Sequence, residues 1–98
     1  MYVGILKLQI EVETTPEAWQ KDAKSLCEKL QARFKVVAKP CASSAGEFAI
    51  ALVSLSREEA GLHQSFDKIM GFCEASGIGR VNDDVIFIDH LDVFSEEE

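Results

Sequence analysis

Near its start, from Leu6 to Val12, the chain alternates between apolar and polar side chains. The even positions from Leu6 to Val12 are apolar, whereas the odd positions between them are polar. A period of two is typical of a β-strand with one buried face, and it predicts a strand at about Tyr2–Val12. Further apolar or β-branched runs predict three more strands, at about Lys35–Pro40, Glu47–Leu55 and Val85–Val93. The third of the four runs has almost no polar residue, which favours a central strand covered on both faces.

Two other segments repeat their apolar residues every three or four positions, which is the period of an α-helix. The first of these helices is predicted at about Pro16–Phe34. Its start has two readings: Thr14 and Glu17 form a capping box, or Thr15 caps a helix whose first residue is Pro16. The residues predicted on its buried side are Trp19, Ala23, Leu26, Cys27, Leu30 and Phe34.

The second helix is predicted at about Arg57–Ala75. Ser56 as the N-cap, with Glu59 three residues later, makes another capping box. Gly77 is a natural residue to follow the helix end, because glycine adopts the left-handed conformation at little cost. Gly77 and Gly79 therefore favour a turn over a phosphate cradle, which would have to lead into a helix. The residues predicted on the buried side are Leu62, Phe66, Ile69, Met70 and Cys73.

The order of the elements is strand, helix, strand, strand, helix, strand. It predicts an α+β fold of the ferredoxin-like βαββαβ type, a sandwich in which a four-stranded antiparallel sheet carries two helices on one face. Pro40 lacks an N–H and favours a sheet edge or a strand end. We predict a hairpin loop at Ala42–Gly46 and a turn at Asn82–Asp84. Residues 1–94 are expected to form a single domain, followed by a disordered acidic tail at 95–98.

The net charge of the 98-residue chain is −7, and it is unevenly distributed. Residues 1–46 carry seven basic and five acidic side chains, whereas the remaining residues carry three and twelve. An acidic protein is a poor non-specific ligand for nucleic acids or anionic membranes, although a local basic patch can bind them. The uneven distribution therefore indicates a surface around the first helix and second strand that differs in charge from the rest.

Three cysteines without the spacing of a metal or redox motif predict reduced thiols in a cytoplasmic protein. Residues 1–12 have no basic segment before their apolar residues, so we expect no signal peptide. No apolar run approaches the ~20 residues of a membrane-spanning helix. His63 and His90 have too few neighbouring ligands for a metal site, and we expect neither a metal nor another cofactor. No paired general acid and base is recognisable, so the chain is expected not to be an enzyme.

Two aromatic residues raise the question of base stacking. RNA-recognition motifs share this order of elements and stack bases on aromatic side chains of their first and third strands. Tyr2 and Phe48 stand at comparable positions. Tyr2, however, has the same parity as Leu6 and is expected to face the helices, unless a bulge at Gly4 shifts it to the other face. That parity and the acidic net charge argue against base stacking on this sheet.

Four segments of the chain resemble the YlxP-like family of small bacterial proteins of unknown function. They are Met1–Leu8, Leu30–Val36, Ile50–Ser54 and Phe66–Phe72. The resemblance implies a ferredoxin-like fold. Genes of this family often neighbour those of translation factors, which implies a connection with the ribosome or RNA by association. The chain departs from the family at Thr15–Lys21, where the family carries a more basic segment.

The function that we expect is a non-enzymatic interaction module that self-associates, giving a possible dimer, or binds a protein partner through its sheet. A sheet with both helices on one face leaves its other face open, and an apolar open face favours a partner. Val3, Ile5 and Lys7 lie on that face of the first strand. They form the candidate interaction face.

The alternative is an RNA- or ribosome-associated protein. Basic residues of the first helix and the second strand predict a patch that contacts phosphates, with binding that weakens steeply as salt rises. The candidate basic patch consists of Lys21, Lys24, Lys29, Lys35 and Lys39.

Overall fold

Six elements follow one another in the predicted order, in a computed structural model that describes residues 1–13, 16–44 and 46–91. The described chain forms a four-stranded antiparallel sheet with two helices, so the predicted ferredoxin-like α+β fold is confirmed. The elements are β1 (Tyr2–Glu11), α1 (Pro16–Phe34), β2 (Val37–Ser44), β3 (Glu47–Ser56), α2 (Glu59–Ala75) and β4 (Arg80–His90).

The strands are arranged in the order β2-β3-β1-β4, so β3 and β1 are central and β2 and β4 form the edges. β1 and β3 pair continuously, from Tyr2 opposite Ser56 to Glu11 opposite Glu47. The central position predicted for the third strand is therefore confirmed. Its predicted covering on both faces is not, since Val53 and Leu55 are 39% and 60% exposed in the described chain. Pro40 lies on an edge strand, as its missing N–H requires, and the pairing register of β2 shifts directly after it.

The hydrophobic core lies between the sheet and the two helices. The even positions of β1 from Leu6 to Ile10 are buried against α1 and α2, as the alternation predicts. Both predicted helix stripes are confirmed, with Phe34 and Met70 only partly buried at their margins. The largest fully buried side chains are Leu6, Leu8, Ile10, Leu26, Leu30, Phe48, Ile50, Leu52, Leu62, Phe66, Ile69 and Cys73.

The helix ends follow the sequence signals only in part. α2 begins at Glu59 with Glu58 as its N-cap, so the prediction of Ser56 as N-cap is wrong by two residues. The Ser56 hydroxyl instead accepts a hydrogen bond from the Glu58 N–H at 3.2 Å, a local bond that competes with helix formation. Gly77 follows the helix with a φ of +77°, which confirms its predicted role. The cap of α1 falls on Thr14 and Thr15, outside the described residues, and both readings stay open.

Two predicted loops belong to strands. β2 continues to Ser44, into the predicted hairpin loop, and β4 begins at Arg80, five residues before its predicted start. The turn predicted at Asn82–Asp84 is therefore wrong. Asp83 and Asp84 pair with Gln9 and Leu8 of β1, and backbone pairing along β1 outweighs the turn preference of aspartate. The predicted acidic tail and the predicted end of the last strand lie outside the described residues.

Candidate interaction face

The outer face of the sheet is the face opposite α1 and α2. Successive side chains of a strand point to opposite faces, and the even positions of β1 are buried against the helices. The odd positions from Val3 to Glu11 therefore lie on the outer face, together with the residues that pair with them on β3 and β4. The candidate residues Val3, Ile5 and Lys7 lie on this face. That they bind a partner stays a prediction.

Four apolar side chains form a straight row across the outer face, one from each strand. Val53 of β3 pairs with Val37 of β2 and with Ile5 of β1. Ile5 in turn pairs with Phe87 of β4. From β2 to β4, the exposed fractions of these four residues are 61%, 39%, 39% and 57%. We call them the apolar row, and contiguous exposed apolar side chains of this kind mark interaction sites.

Other apolar residues widen this row on both sides. Leu55 and Val85 are 60% and 56% exposed. Each lies two residues along its strand from a member of the row, Leu55 toward one end of the sheet and Val85 toward the other. Leu55 pairs with the half-buried Val3, and Val85 pairs with Lys7. The sequence signal for Val85 and Phe87 is the continuous apolar run from Val85 to Ile88. Which of these residues join the outer face depends on the register between strands.

The two edges of the outer face carry opposite charges. On the β2 side, Lys39 lies in the strand and Lys35 lies two residues before its first residue. On the β4 side, Asp83 and Asp89 lie on the outer face, paired with Gln9 and Val3 of β1. All four charged side chains are exposed. We call these the basic edge (Lys35 and Lys39) and the acidic edge (Asp83 and Asp89).

The aromatic residues of β1 and β3 do not lie on the outer face. The Tyr2 ring contacts the His90 ring on the helix side, with the two centroids 4.7 Å apart. Phe48 is buried, and its ring stacks on Trp19 at a centroid distance of 5.6 Å. The expectation from parity is confirmed, since β1 pairs through Gly4 without a shift of register against β3. Stacking of bases in the manner of an RNA-recognition motif has no aromatic platform on these two strands.

The residues of the candidate basic patch lie on more than one element. Lys21, Lys24 and Lys29 are exposed on α1. Lys39 pairs with Ala51 of β3 and belongs to the opposite, outer face of the sheet. Lys35 lies between α1 and β2 with a φ of 56°. The five lysines thus lie on α1, on β2 and on the segment between them, and their binding of phosphate stays a prediction.

An open cleft of about 530 Å³ lies at one end of the sheet, where β1 ends and β4 begins. Its lining includes Gly77 and Gly79 together with Glu11 and Arg80, whose charged groups are 3.8 Å apart. Across the described ranges, no group of three or more His, Cys, Asp or Glu side chains is placed to hold a metal ion. The cleft thus offers a backbone-lined surface and one exposed ion pair.

The three thiols occupy different environments. Cys27 and Cys73 are buried in the core, and Cys41 is exposed on β2. Burial raises the pKa of Cys27 from its ordinary value of 9.0 to about 11, opposed in part by the charge of Lys39. Burial, with a smaller contribution from Cys27, raises the pKa of Cys73 to about 12. A raised pKa keeps a thiol protonated and therefore unreactive.

We expect Cys41 alone to react with iodoacetamide at pH 8 in the folded protein, and all three cysteines to react after unfolding. Mass spectrometry measures the labelling.

The buried thiols also predict a loss of stability in alkali. The folded protein keeps their protons at a pH where the unfolded chain releases them, so stability falls as the pH rises above about 9 toward the folded pKa values of about 11 and 12. Denaturant titrations at increasing pH measure this loss of stability. A loss of equal size in a Cys27→Ala/Cys73→Ala variant would contradict the prediction.

No helix in the described ranges is both long and apolar enough to cross a membrane. Compared with known proteins, the chain matches no model of a protein family, and no curated protein is significantly similar to it. The resemblance to the YlxP-like family therefore stays a prediction.

Proposed function

We propose that this protein is a non-enzymatic cytoplasmic interaction module that binds a protein partner through the outer face of its sheet. The single observation that supports the proposal most is the apolar row. The aromatic ring of Phe87 and the aliphatic side chain of Val37 lie exposed on a face that the rest of the described chain leaves uncovered. A partner that covers the row removes this apolar area from water at a gain of roughly 25 cal/mol per Å².

The composition of the face also supports a protein partner over a nucleic acid. An aromatic residue surrounded by aliphatic residues, with charges at the margins, is typical of the centre and rim of a protein–protein interface. A nucleic-acid surface instead needs lysine or arginine along its whole length. Within the described strands, the basic residues on the outer face are Lys7, Lys39 and Arg80, and Arg80 lies 3.8 Å from the Glu11 carboxylate.

The alternative of an RNA- or ribosome-associated protein has less support. Its remaining basic residues on α1, Lys21, Lys24 and Lys29, share that helix with Asp22 and Glu28. Carboxylates among the lysines reduce the attraction for phosphate. We therefore give preference to the outer face.

The proposal is tested by photo-crosslinking from two exposed positions in the cells that produce the protein. A photoreactive amino acid at Leu55 lies on the outer face, and the matched control at Ala32 lies on the exposed side of α1. We expect a defined protein adduct from Leu55 and none from Ala32. Equal labelling from both positions, or adducts from Ala32 alone, would show that the outer face is not the binding surface.

A further inference from the structure

We propose that the partner of the outer face is a second copy of this chain. The two sheets pack face to face about a two-fold axis that runs parallel to the strands, between β1 and β3. This inference rests on the proposed function, because it names the occupant of the same surface. Three properties of the face support it: the pairing of the apolar row with itself, the charges of the two edges, and the area available.

The apolar row is complementary to itself in this arrangement. The axis exchanges the central strands with each other and the edge strands with each other, and it keeps each position along the strands. Ile5 then faces Val53 of the second copy, and the large Phe87 faces the small Val37 of the second copy. Every member of the row thus meets an apolar side chain, and the largest meets one of the smallest, as interdigitated sheet packing requires.

The charges select this axis over the other possible one. An axis parallel to the strands places the basic edge of one copy over the acidic edge of the other. Lys39 then lies two residues along the strand from Asp83 of the second copy, and Asp89 lies over the end that carries Lys35. An axis perpendicular to the strands places each edge over its own copy, so that lysine meets lysine and aspartate meets aspartate. Like charges at an interface disfavour association by several kcal/mol.

The face is large enough for a stable dimer. Four strands spaced by ~4.8 Å, each rising ~3.3 Å per residue over about ten residues, cover roughly 600 Å². Two such faces bury about 1,200 Å², within the range of specific interfaces and above the ~1,000 Å² that a biological contact should reach. Sheets packed in this way also keep their strands within about 30° of each other.

Pairing through the free edge of β4 is the main competing mode of self-association. The strand is eleven residues long and lies at the sheet edge, and an exposed long edge invites pairing. Antiparallel pairing centred on Ile86 would place Asp83 directly opposite Asp89 of the second copy, twice over. Like charges directly opposite in a ladder are unfavourable. Edge pairing would also leave the apolar row exposed.

Sedimentation measures the association and locates the interface. We expect the protein to be a dimer at high micromolar concentration. Phe87→Glu and Val37→Glu lie at opposite edges of the sheet. Each is expected to raise the dissociation constant about 100-fold, because either variant places a charge in both of the contacts between Phe87 of one copy and Val37 of the other. The control Ala32→Glu adds the same charge on α1 and is expected to leave the constant within about 3-fold. Folding of each variant is checked by circular dichroism.

Reversal of charge tests the choice of axis. Lys39→Glu and Asp83→Lys are each expected to weaken the dimer about 10-fold, and the double variant Lys39→Glu/Asp83→Lys is expected to regain most of the loss. Asp83→Lys also lowers the net negative charge, so a general relief of repulsion would strengthen the dimer instead. No recovery in the double variant would overturn the arrangement.

Crosslinking between two single-cysteine variants tests directly which residues of the two copies face each other. Both variants also carry Cys41→Ser, which removes the exposed native thiol. In the proposed dimer the two Val37 positions lie at least three strand spacings apart, about 14 Å, and so do the two Phe87 positions. A short bifunctional maleimide is expected to join Val37→Cys to Phe87→Cys when the two variants are mixed. Neither variant alone is expected to form a crosslinked dimer. Crosslinking of Phe87→Cys with itself would instead indicate pairing of β4 edges and would overturn the proposal.

The outcomes separate this inference from the proposed function. A monomeric protein whose Leu55 crosslinks to a different protein overturns the second copy and leaves the interaction face intact. A dimer that Phe87→Glu and Val37→Glu do not weaken places the dimer interface elsewhere and overturns the second copy; it overturns the proposed function as well when Leu55 forms no adduct. A Leu55 adduct with the mass of two chains, lost in Phe87→Glu, supports both.

Discussion

Replacement of Phe66 by alanine is expected to lower the free energy of unfolding by about 3–5 kcal/mol, the usual cost of removing a fully buried phenylalanine side chain. The same replacement at Phe87 is expected to lower it by less than about 1 kcal/mol. The two phenylalanines form a matched pair, since Phe66 is 0% exposed under the inner face of the sheet and Phe87 is 57% exposed on the outer face.

The difference follows from what each ring contacts. Phe66 lies in the core cluster between α2 and the sheet, and its removal leaves a cavity as well as losing the transfer free energy of the ring. Phe87 loses mainly its cross-strand contact with Ile5, and such pairs contribute roughly 0.2–1 kcal/mol. A loss of about 3–5 kcal/mol is a large part of the total stability of a domain of this size.

Urea unfolding at low protein concentration measures both variants as monomers. At high concentration the proposed dimer adds to the apparent stability of the wild type, because association occurs only in the folded state. Phe87→Ala should lose most of that concentration dependence, whereas Phe66→Ala should retain it if the variant folds. A Phe87→Ala variant destabilised as strongly as Phe66→Ala would show that Phe87 belongs to the core of the monomer.

The sequence allowed the fold to be predicted because its signals are local. Alternation around Leu6 identifies β1 and its buried face, and the stripes around Leu26 and Phe66 identify the helix faces that cover it. Each pattern needs only residues within two turns or a few strand positions. Errors arose where pairing between distant segments outweighs local preference, as at Asp83, whose backbone pairs with β1 although aspartate favours turns.

The candidate face could be predicted only in part for the same reason. Ile5 is recognisable as an outer residue because its own strand alternates. Phe87 is apolar, but its place beside Ile5 depends on the register between β1 and β4, which includes a shift at Gln9. The opposite charges of the two edges follow from the strand order. No local pattern near Lys39 reveals that order.

The second large effect is expected at Gly4, where β1 passes close beneath α2. A Cβ at this position would lie 2.8 Å from Phe66 Cζ and 3.1 Å from Leu62 Cδ1. Both neighbours are fully buried and would have to shift within the core, so Gly4→Ala is expected to cost about 1–3 kcal/mol of unfolding free energy. Gly71→Ala is the matched control. A Cβ there meets nothing within 4 Å, and the change in α2 is expected to add up to about 1 kcal/mol of stability.

A double-mutant cycle assigns the cost at Gly4 to the ring of Phe66. Phe66→Leu removes the end of the ring that the new Cβ would meet, so Gly4→Ala should cost about 1 kcal/mol less in that background than in the wild type. Denaturant unfolding of the four proteins measures the coupling. Equal costs in both backgrounds would mean that the penalty arises from the backbone of β1, and the close approach of α2 would not be the reason for glycine at this position.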